Sequence, residues 1–327
     1  MTRLSISPIV RPADPATTRR RAILDDVRES FARTPRELSP KYFYDERGSR
    51  LFEEITRLPE YYLTRAEREI LVTHADDIVR TVAPCTLIEL GAGSAEKTRL
   101  LLRAMRARSN GVSYVPIDVS EEFLDQTRAR LQSEDGQLRV VPLVADIGDE
   151  LPLPRVERPA LFAFLGSTIG NFTTADAIGL LRRIRGQMGL RDRLLLGTDL
   201  RKDAAVLNAA YNDAAGVTAE FNRNMLRALN VELGADFVPD RFEHRAFYDE
   251  REHRIEMHLV ARGQQIVNVP GLPRIVLRDG ESIRTELSHK YDRNAVDSLT
   301  DAAQLRVARW LTDSRGQFAL SLLEPTT

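Results

Sequence analysis

Between residues 85 and 199 the chain alternates short apolar runs with amphipathic ones. The apolar runs are Cys85–Leu90, Val112–Ile117, Leu138–Ala145, Ala160–Leu165 and Arg193–Leu196, each followed closely by Gly or Asp. The stretches between them, running to Met105, over Glu121–Leu131 and over Thr174–Met188, carry helical spacing. Apolar runs of strand length separated by helices predict a parallel sheet covered on both faces, with right-handed crossovers. Upstream, Ala22–Ala32 (Ile23, Leu24, Val27, Phe31) and the stretch from Arg65 to about Arg80 also read as helices. Downstream of Asp199 the rhythm changes. Residues 203–235 are helical in character, with Phe221 and Leu226 facing inward, and residues 245–290 alternate polar and apolar, which predicts antiparallel strands. Val296–Leu323 reads as a helix and then two strands. The predicted fold class is α/β: a doubly wound, Rossmann-like domain (65–199 plus 291–327), a smaller α+β domain (21–64 plus 200–290), and a flexible tail over 1–20.

Composition narrows the function. The chain has 327 residues, enough for two domains. Its net charge is 47 − 48 = −1, so a strongly basic nucleic-acid binder is not the expectation. The basic run Arg19–Arg21 reads as a solvated tail entering a helix. A single cysteine, Cys85, excludes an internal disulfide and a four-thiolate zinc site, and the five histidines lack HxxxH or HExxH spacing, so no metal is expected. No apolar run reaches about 18 residues, so no membrane span is expected. The N-terminus also lacks a signal-peptide pattern, and the expected location is the reducing cytoplasm.

Chemistry concentrates at the ends of the predicted strands. The first ends in GAGS and opens a helix, the geometry that lets a ligand approach the backbone. Gly91 and Gly93 are followed by Glu96 where a dinucleotide fingerprint has its third glycine, and Glu89 precedes the turn, with no arginine inside the turn to compensate. Two carboxylates would repel a pyrophosphate, which disfavours an NAD oxidoreductase. A cationic ligand such as S-adenosylmethionine fits better. Asp118 lies 27 residues after Gly91, and Asp146 lies 28 after Asp118, each at the end of a predicted strand. There they can reach a ribose and an adenine amino group, with Ile147 packing on the ring, although each could equally cap a helix. Lys97, in the first helical turn, could bond the ligand's carboxylate, or stand as a surface lysine. Gly166 and Ser167 open the sequence GSTIGNF after the fourth strand and are assigned to the same ligand. Asn171 in that sequence can both donate to and accept from an amino acid.

The segments KYFYDERGSRLFEEITRLPEYYLTRAE, LIELGAGSAEKTRLLL, FLGSTIGNF, LLLGTDLRKD, YNDAAGVTAEFNRNML, RIEM and TELSHKY occur in this order. Together they resemble the histidine Nα-methyltransferase family of ergothioneine biosynthesis, over about residues 38–325. The resemblance implies a class I S-adenosylmethionine-dependent methyltransferase that trimethylates L-histidine as a cytoplasmic monomer, with neither nucleic acid nor membrane as partner. It implies that Gly91, Lys97, Asp118, Asp146 and Ile147 bind the cofactor. Tyr61, Asn171 and Tyr211 would hold the α-carboxylate and α-amine, and Glu286 and Ser288 the imidazole. Tyr44 would lie near the reacting nitrogen, with Phe52 and Met257 lining the pocket, and Tyr44, Tyr61 and Asn171 would steer the amine. Read without the family, the tyrosines and Met257 are core residues, and Glu286 and Ser288 lie on the solvent side of a strand. Leu63 stands where the family often has proline, a change expected to alter only loop stiffness, and His289 and Tyr291 stand where related sequences vary. Three other readings stay open: a same-fold enzyme for another aromatic amino acid, one for a sulfur-modified histidine, and a cofactor-binding regulator without turnover.

Overall fold

The computed structural model describes residues 15–149 and 151–326. The first part of the chain forms α1 (Pro15–Ala32), β1 (Arg36–Glu37), a 3-10 turn (Pro40–Phe43), α2 (Glu46–Ile55) and α3 (Leu63–Val82). The central part forms β2 (Thr86–Leu90), α4 (Thr98–Arg106), β3 (Ser113–Asp118), α5 (Glu121–Glu134), β4 (Arg139–Val140) and β5 (Leu143–Val144). It continues through β6 (Ala160–Phe164), a second 3-10 turn (Thr168–Asn171), α6 (Thr174–Gln187) and β7 (Arg193–Asp199). Then come α7 (Ala204–Tyr211), α8 (Val217–Leu233), β8 (Phe242–Asp249), β9 (Arg254–Ala261), β10 (Gln265–Val267), β11 (Ile275–Leu277) and β12 (Ser282–His289). The chain closes with α9 (Arg293–Ala302), β13 (Leu305–Thr312) and β14 (Phe318–Pro325).

The large sheet runs β13-β14-β7-β6-β2-β3-β4, with β5 also on β3. Strands β7, β6, β2, β3 and β4 run parallel, and β14 enters antiparallel beside β7. This is the Rossmann-like class I methyltransferase architecture. From β2 the chain winds outward to β3 and β4, then returns to β6 on the other side, so a crevice opens beyond the C-terminal ends of β2 and β6. Every residue of β2 and β6 is buried, because both faces are covered. Leu87, Leu161 and Leu195 point into one core, and Ile88, Phe162 and Leu194 into the other, as a period of two requires.

The first core continues into a second sheet, β1-β12-β9-β8, through Met257, Leu259 and Ile283. Helix α8 packs on this unit, and its Phe221 stacks on Phe43 at 4.4 Å between centroids. The two sheets are stitched at one corner. Tyr291 N donates to Asp199 O (2.9 Å) and Arg201 N to Tyr291 O (2.8 Å), joining the end of β7 to the residues after β12.

Two expectations need correction. The run Leu138–Ala145 is two short strands, because Pro142 has no N–H for the ladder. Helix α1 starts at Pro15, inside the predicted tail. Arg19 pairs with Glu232 and Arg20 donates to Leu233 O, both at 2.8 Å, so the basic run docks on the C-terminal turn of α8, where carbonyls favour cations. The remaining tail, residues 1–14, lies outside the described residues. Among the described residues no helix is long and apolar enough to cross a membrane.

Candidate functional site

Two connected cavities open at the crevice. The larger, about 520 Å³, lies over the β2 and β3 ends and is lined by Gly91, Gly93, Lys97, Asp118, Asp146, Ile147 and Gly166. The inner one, about 60 Å³, reaches toward the second sheet and is lined by Ser167, Tyr211, Met257, Glu286 and Ser288. Tyr44, Phe52, Tyr61 and Asn171 line both and form the junction. All the residues assigned to a site from the sequence thus line one or both of two cavities that share a wall.

The larger cavity is shaped by backbone and carboxylates. Gly91 and Gly93 adopt φ of +67° and +48°, a region disfavoured for side-chain-bearing residues. Asp118 ends β3 and accepts from Gly93 N (3.0 Å) and Ser120 N (3.2 Å). Burial raises its carboxyl above the usual range, and these N–H groups pull it part of the way back. Glu89 lies beneath the turn, bonded by the Thr98 and Tyr114 hydroxyls, and burial raises it to about 7. Glu96 is compensated after all: Arg130, from α5, bonds both Glu96 and Ser94 O, and Arg99 adds a second contact. The Glu96 charge is therefore offset and does not by itself count against a pyrophosphate.

Three other assignments shift. Asp146 lies two residues past β5, caps Gly148 N at 2.8 Å and faces Lys41 at 3.5 Å. Lys97 is anchored rather than loose on the surface, because its ammonium pairs with the fully buried Glu67 while the residue lines the larger cavity. The Glu67 carboxylate also accepts from Gly166 N (2.8 and 3.1 Å), so one residue of α3 ties the start of α4 to the loop after β6. Ser167 lines the inner cavity rather than the larger one, and its Oγ accepts from Asp199 N at 2.9 Å. Leu63 does more than alter a loop. It is the first residue of α3, is buried, and lines both cavities.

At the junction, rings meet edge-on in a chain. Tyr44–Phe52, Phe52–Tyr61 and Tyr61–Tyr211 have centroid distances of 5.8, 6.2 and 6.4 Å. Asn171 is brought there because the second 3-10 turn packs directly on β12; a Cβ on Gly170 would meet His289 O at 2.9 Å. The Tyr44 and Tyr61 hydroxyls, the Asn171 amide and the Glu286 carboxylate share a property. None has a hydrogen-bond partner among the described residues, although each lines a cavity and a buried polar group is normally paired. Burial raises both phenols far above their ordinary value, so they stay protonated.

The inner cavity is floored by β12 and β9. Register shifts between Arg284 and Glu286, leaving Thr285 as a bulge whose hydroxyl donates to Met257 O (3.1 Å). Beyond the bulge, Glu286 and Ser288 both face the cavity, two residues apart on extended chain. Burial raises the Glu286 carboxyl to about 7, against the pull of Lys290. The Ser288 Oγ lies 2.8 Å from the Tyr211 hydroxyl. Behind them Lys290 pairs with Asp199 (2.8 Å), both with no exposed side-chain surface. Tyr62 and Lys202 also bond the Asp199 carboxylate. Burial opposes the Asp199 charge, but Lys290 and Lys202 outweigh it and hold the carboxyl below its ordinary value.

Residues 23–325 match the family described as histidine-specific methyltransferase, SAM-dependent. The chain belongs to this family. It is 46% identical over 303 residues to the histidine N-alpha-methyltransferase of Mycobacterium tuberculosis, covering 92% of this chain and 94% of that one. The Mycolicibacterium smegmatis protein of the same name is 45% identical over 304 residues, with the same coverage. Ergothioneine biosynthesis protein 1 of Neurospora crassa is 33% identical over 285 residues, 84% of this chain and 32% of that protein.

As a SAM-dependent histidine-specific methyltransferase, the chain uses S-adenosyl-L-methionine, and the larger cavity suits it. The cavity is walled by carboxylates at Glu89, Asp118 and Asp146, and its glycine turn leaves open space where a Cβ would stand. Sequence reasoning missed Phe221, Glu67, Asp199 and Lys290. Phe221 read as core and does pack on Phe43, but it also lines the inner cavity. Glu67 sits on a helix face with no local motif to mark it. The only available signals for the other two were that Asp199 ends a strand at the crevice and that Lys290 lies two residues from Ser288.

Proposed function

We propose that the chain methylates the α-amine of L-histidine in three successive rounds, giving Nα,Nα,Nα-trimethyl-L-histidine, the first step of ergothioneine biosynthesis. The observation that carries this reading is the set of unpaired polar groups around the inner cavity of a histidine-specific family member. Glu286 would accept from a ring N–H and Ser288 would meet the other ring nitrogen. Tyr61, Asn171 and Tyr211 would hold the α-carboxylate and α-amine, with Met257 and Phe52 packing against the substrate. The larger cavity would hold the cofactor through Gly91, Gly93, Asp118, Asp146, Ile147 and Gly166, with Lys97 near its carboxylate.

When bound, S-adenosyl-L-methionine supplies an electrophilic methyl carbon. The residues of this chain position the nucleophile. An α-amine with a pKa of about 8 is mostly protonated near neutral pH, and only the free base can attack. Tyr44 and Tyr61, held as neutral phenols, serve as acceptors that aim the nitrogen rather than as bases. Holding the lone pair in line is a large catalytic term for such a displacement. The nitrogen releases one proton per round and ends as a quaternary cation, which ring faces attract. The segments 21–64 and 200–290 act as the substrate unit, and 65–199 with 291–327 as the cofactor unit.

The chain is further read as a cytoplasmic monomer without nucleic-acid or membrane partners. Its net charge of −1 speaks against a polyanionic partner, and the scatter of its most exposed apolar residues, Val72, Leu190 and Val231, over separate parts of the fold speaks against a large apolar interface. Mass spectrometry of products from L-histidine tests the reaction. A trimethylated product is expected. A monomethylated end product would overturn the three rounds, and turnover of tryptophan but not histidine would overturn the substrate.

A further inference from the structure

Lys290 lies just beyond β12, fully buried, and uses all of its protons. Its Nζ is 2.8 Å from Asp199 Oδ2, 3.0 Å from the Tyr211 hydroxyl and 2.8 Å from Ser288 Oγ. An ammonium has three donors and no acceptor, so none is left for a ligand. Lys290 therefore acts through its neighbours. Both hydroxyl oxygens accept from it, so both hydroxyl protons point away from it. The two oxygens are 2.8 Å apart, which places one proton between them. Either hydroxyl could give that proton; in the arrangement inferred below the phenol, the better donor, gives it to Ser288, which leaves Tyr211 a lone pair to accept from the α-amine and no proton for the α-carboxylate. The Ser288 oxygen then holds two accepted bonds, from Lys290 and Tyr211, and its own proton turns to the cavity it lines. Two residues earlier, Glu286 faces the same cavity with an unpaired carboxylate. This corner offers one acceptor and one donor. A neutral imidazole, with one N–H and one bare nitrogen, matches it. An imidazolium would set a second N–H against the Ser288 proton, close to the Lys290 charge.

We infer that Lys290 is a positioning residue that makes Ser288 a hydrogen-bond donor and so selects the neutral, single-N–H form of the substrate ring. This deepens the histidine reading above and rests on it. The charged groups around this corner are Glu286 and Lys290 from the β12 segment, Asp199 at the end of β7, and Lys202 just after it. Tyr44, Tyr61 and Tyr211 face it as neutral phenols.

Nitrogen NMR of ring-labelled L-histidine bound with S-adenosylhomocysteine tests this between about pH 6 and 8, across the pKa of a free imidazole, about 6.5, and that of Glu286, about 7, with Glu286→Gln as the control in which no carboxyl can take the ring proton. In the native protein one ring nitrogen should be protonated and one bare. In Lys290→Met, Ser288 is released to accept, and both nitrogens should be protonated. The same variant should raise KM for histidine about tenfold or more while changing kcat less, with S-adenosylhomocysteine affinity unchanged. If Lys290→Met does not fold, Lys290→Met/Asp199→Asn removes the buried Lys290–Asp199 pair, Lys202 keeping its bonds to Tyr62 and Leu200 O, and carries the same comparison. A cationic ring in the native complex, or an unchanged spectrum in the variants, would overturn the inference while leaving the substrate reading intact. No histidine binding to the native complex would overturn both.

Discussion

The two cavities are built by opposite means. The larger one is made from consecutive pieces of chain: a glycine turn after β2, Asp118 ending β3, and Asp146 beyond β5, each one strand-helix unit from the last. Much of its shape is backbone. The inner one is made almost wholly from side chains, contributed by segments as far apart in sequence as Tyr44 and Ser288. Its polar surface depends on a bulge, an edge-on ring chain and a buried ion pair. A backbone-built pocket tolerates substitution around it and can serve many reactions. A side-chain-built pocket carries specificity and concentrates it in few atoms.

The sharpest test of this contrast is truncation on each side. Glu286→Ala should cost histidine binding about 2–5 kcal/mol, roughly 30- to 4,000-fold, because it leaves a buried ring N–H unpaired. Affinity for S-adenosylhomocysteine should stay unchanged. Asp118→Ala should do the reverse, with a smaller loss of about 1.5–3 kcal/mol, the range for a hydrogen bond to a charged group. Calorimetry with each ligand separately reads both. If either variant weakened the two ligands equally, the division of labour between the cavities would be wrong.

The same contrast explains what the sequence made legible. Periodicity was enough for the alternating strands and helices from Thr86 to Asp199, apart from the run that Pro142 splits into β4 and β5, because strands buried on both faces are written as continuous apolar runs. The glycine turn, Asp118 and Asp146 followed from spacing alone. The inner cavity did not. Nothing local separates Glu286 and Ser288 from solvent residues on a strand, or Tyr61 from a core tyrosine, and only the resemblance over long motifs singled them out. Pairings across the chain stayed invisible to both routes. Glu67 with Lys97 and Gly166, Arg130 with Glu96, and Lys290 with Asp199 each join segments that only the folded topology brings together.

One such pairing gives the next test. Gly197, in the middle of β7, lies under Glu67, and an added Cβ would meet Glu67 Oε1 at 2.4 Å and the Phe318 ring at 3.2 Å. Gly197→Ala should therefore destabilise the fold by about 1–3 kcal/mol, the usual cost of overpacking. It should also weaken cofactor binding by pushing Glu67 off Lys97 and Gly166. A thermal-unfolding midpoint equal to that of the native protein would show that the Glu67 carboxylate has room to move.

The inner cavity should also trade stability for recognition. The Glu286 carboxyl ionises near 7 in the folded protein against about 4.5 when exposed. The unfolded chain therefore loses this proton more readily than the folded one. The contribution to stability is present below about pH 4.5 and is lost progressively as pH rises to about 7. Glu286→Gln should raise the unfolding midpoint of the ligand-free protein at pH above about 7 and leave it unchanged near pH 4.5, while weakening histidine binding. A midpoint gain independent of pH would point to packing instead of ionisation.

The smallest effect belongs to the rim of the larger cavity. Lys41 reaches from the N-terminal 3-10 turn to Asp26 (3.1 Å) and to Asp146 (3.5 Å), and its side chain is about one-third exposed. Asp146 already spends one oxygen on Gly148 N. Lys41 thus competes with an incoming adenine amino group for the other oxygen, through a contact too long for a strong hydrogen bond. A partly exposed pair is worth about 0–1 kcal/mol, so Lys41→Ala should tighten S-adenosylhomocysteine binding by no more than about fivefold at low salt. The gain should fade as ionic strength shortens the screening length. A tenfold loss of affinity would reverse the assignment. Lys41 would then be a clamp that the N-terminal segment lays across the bound nucleoside, and the rim would join the inner cavity as a place where side chains, not backbone, set the affinity.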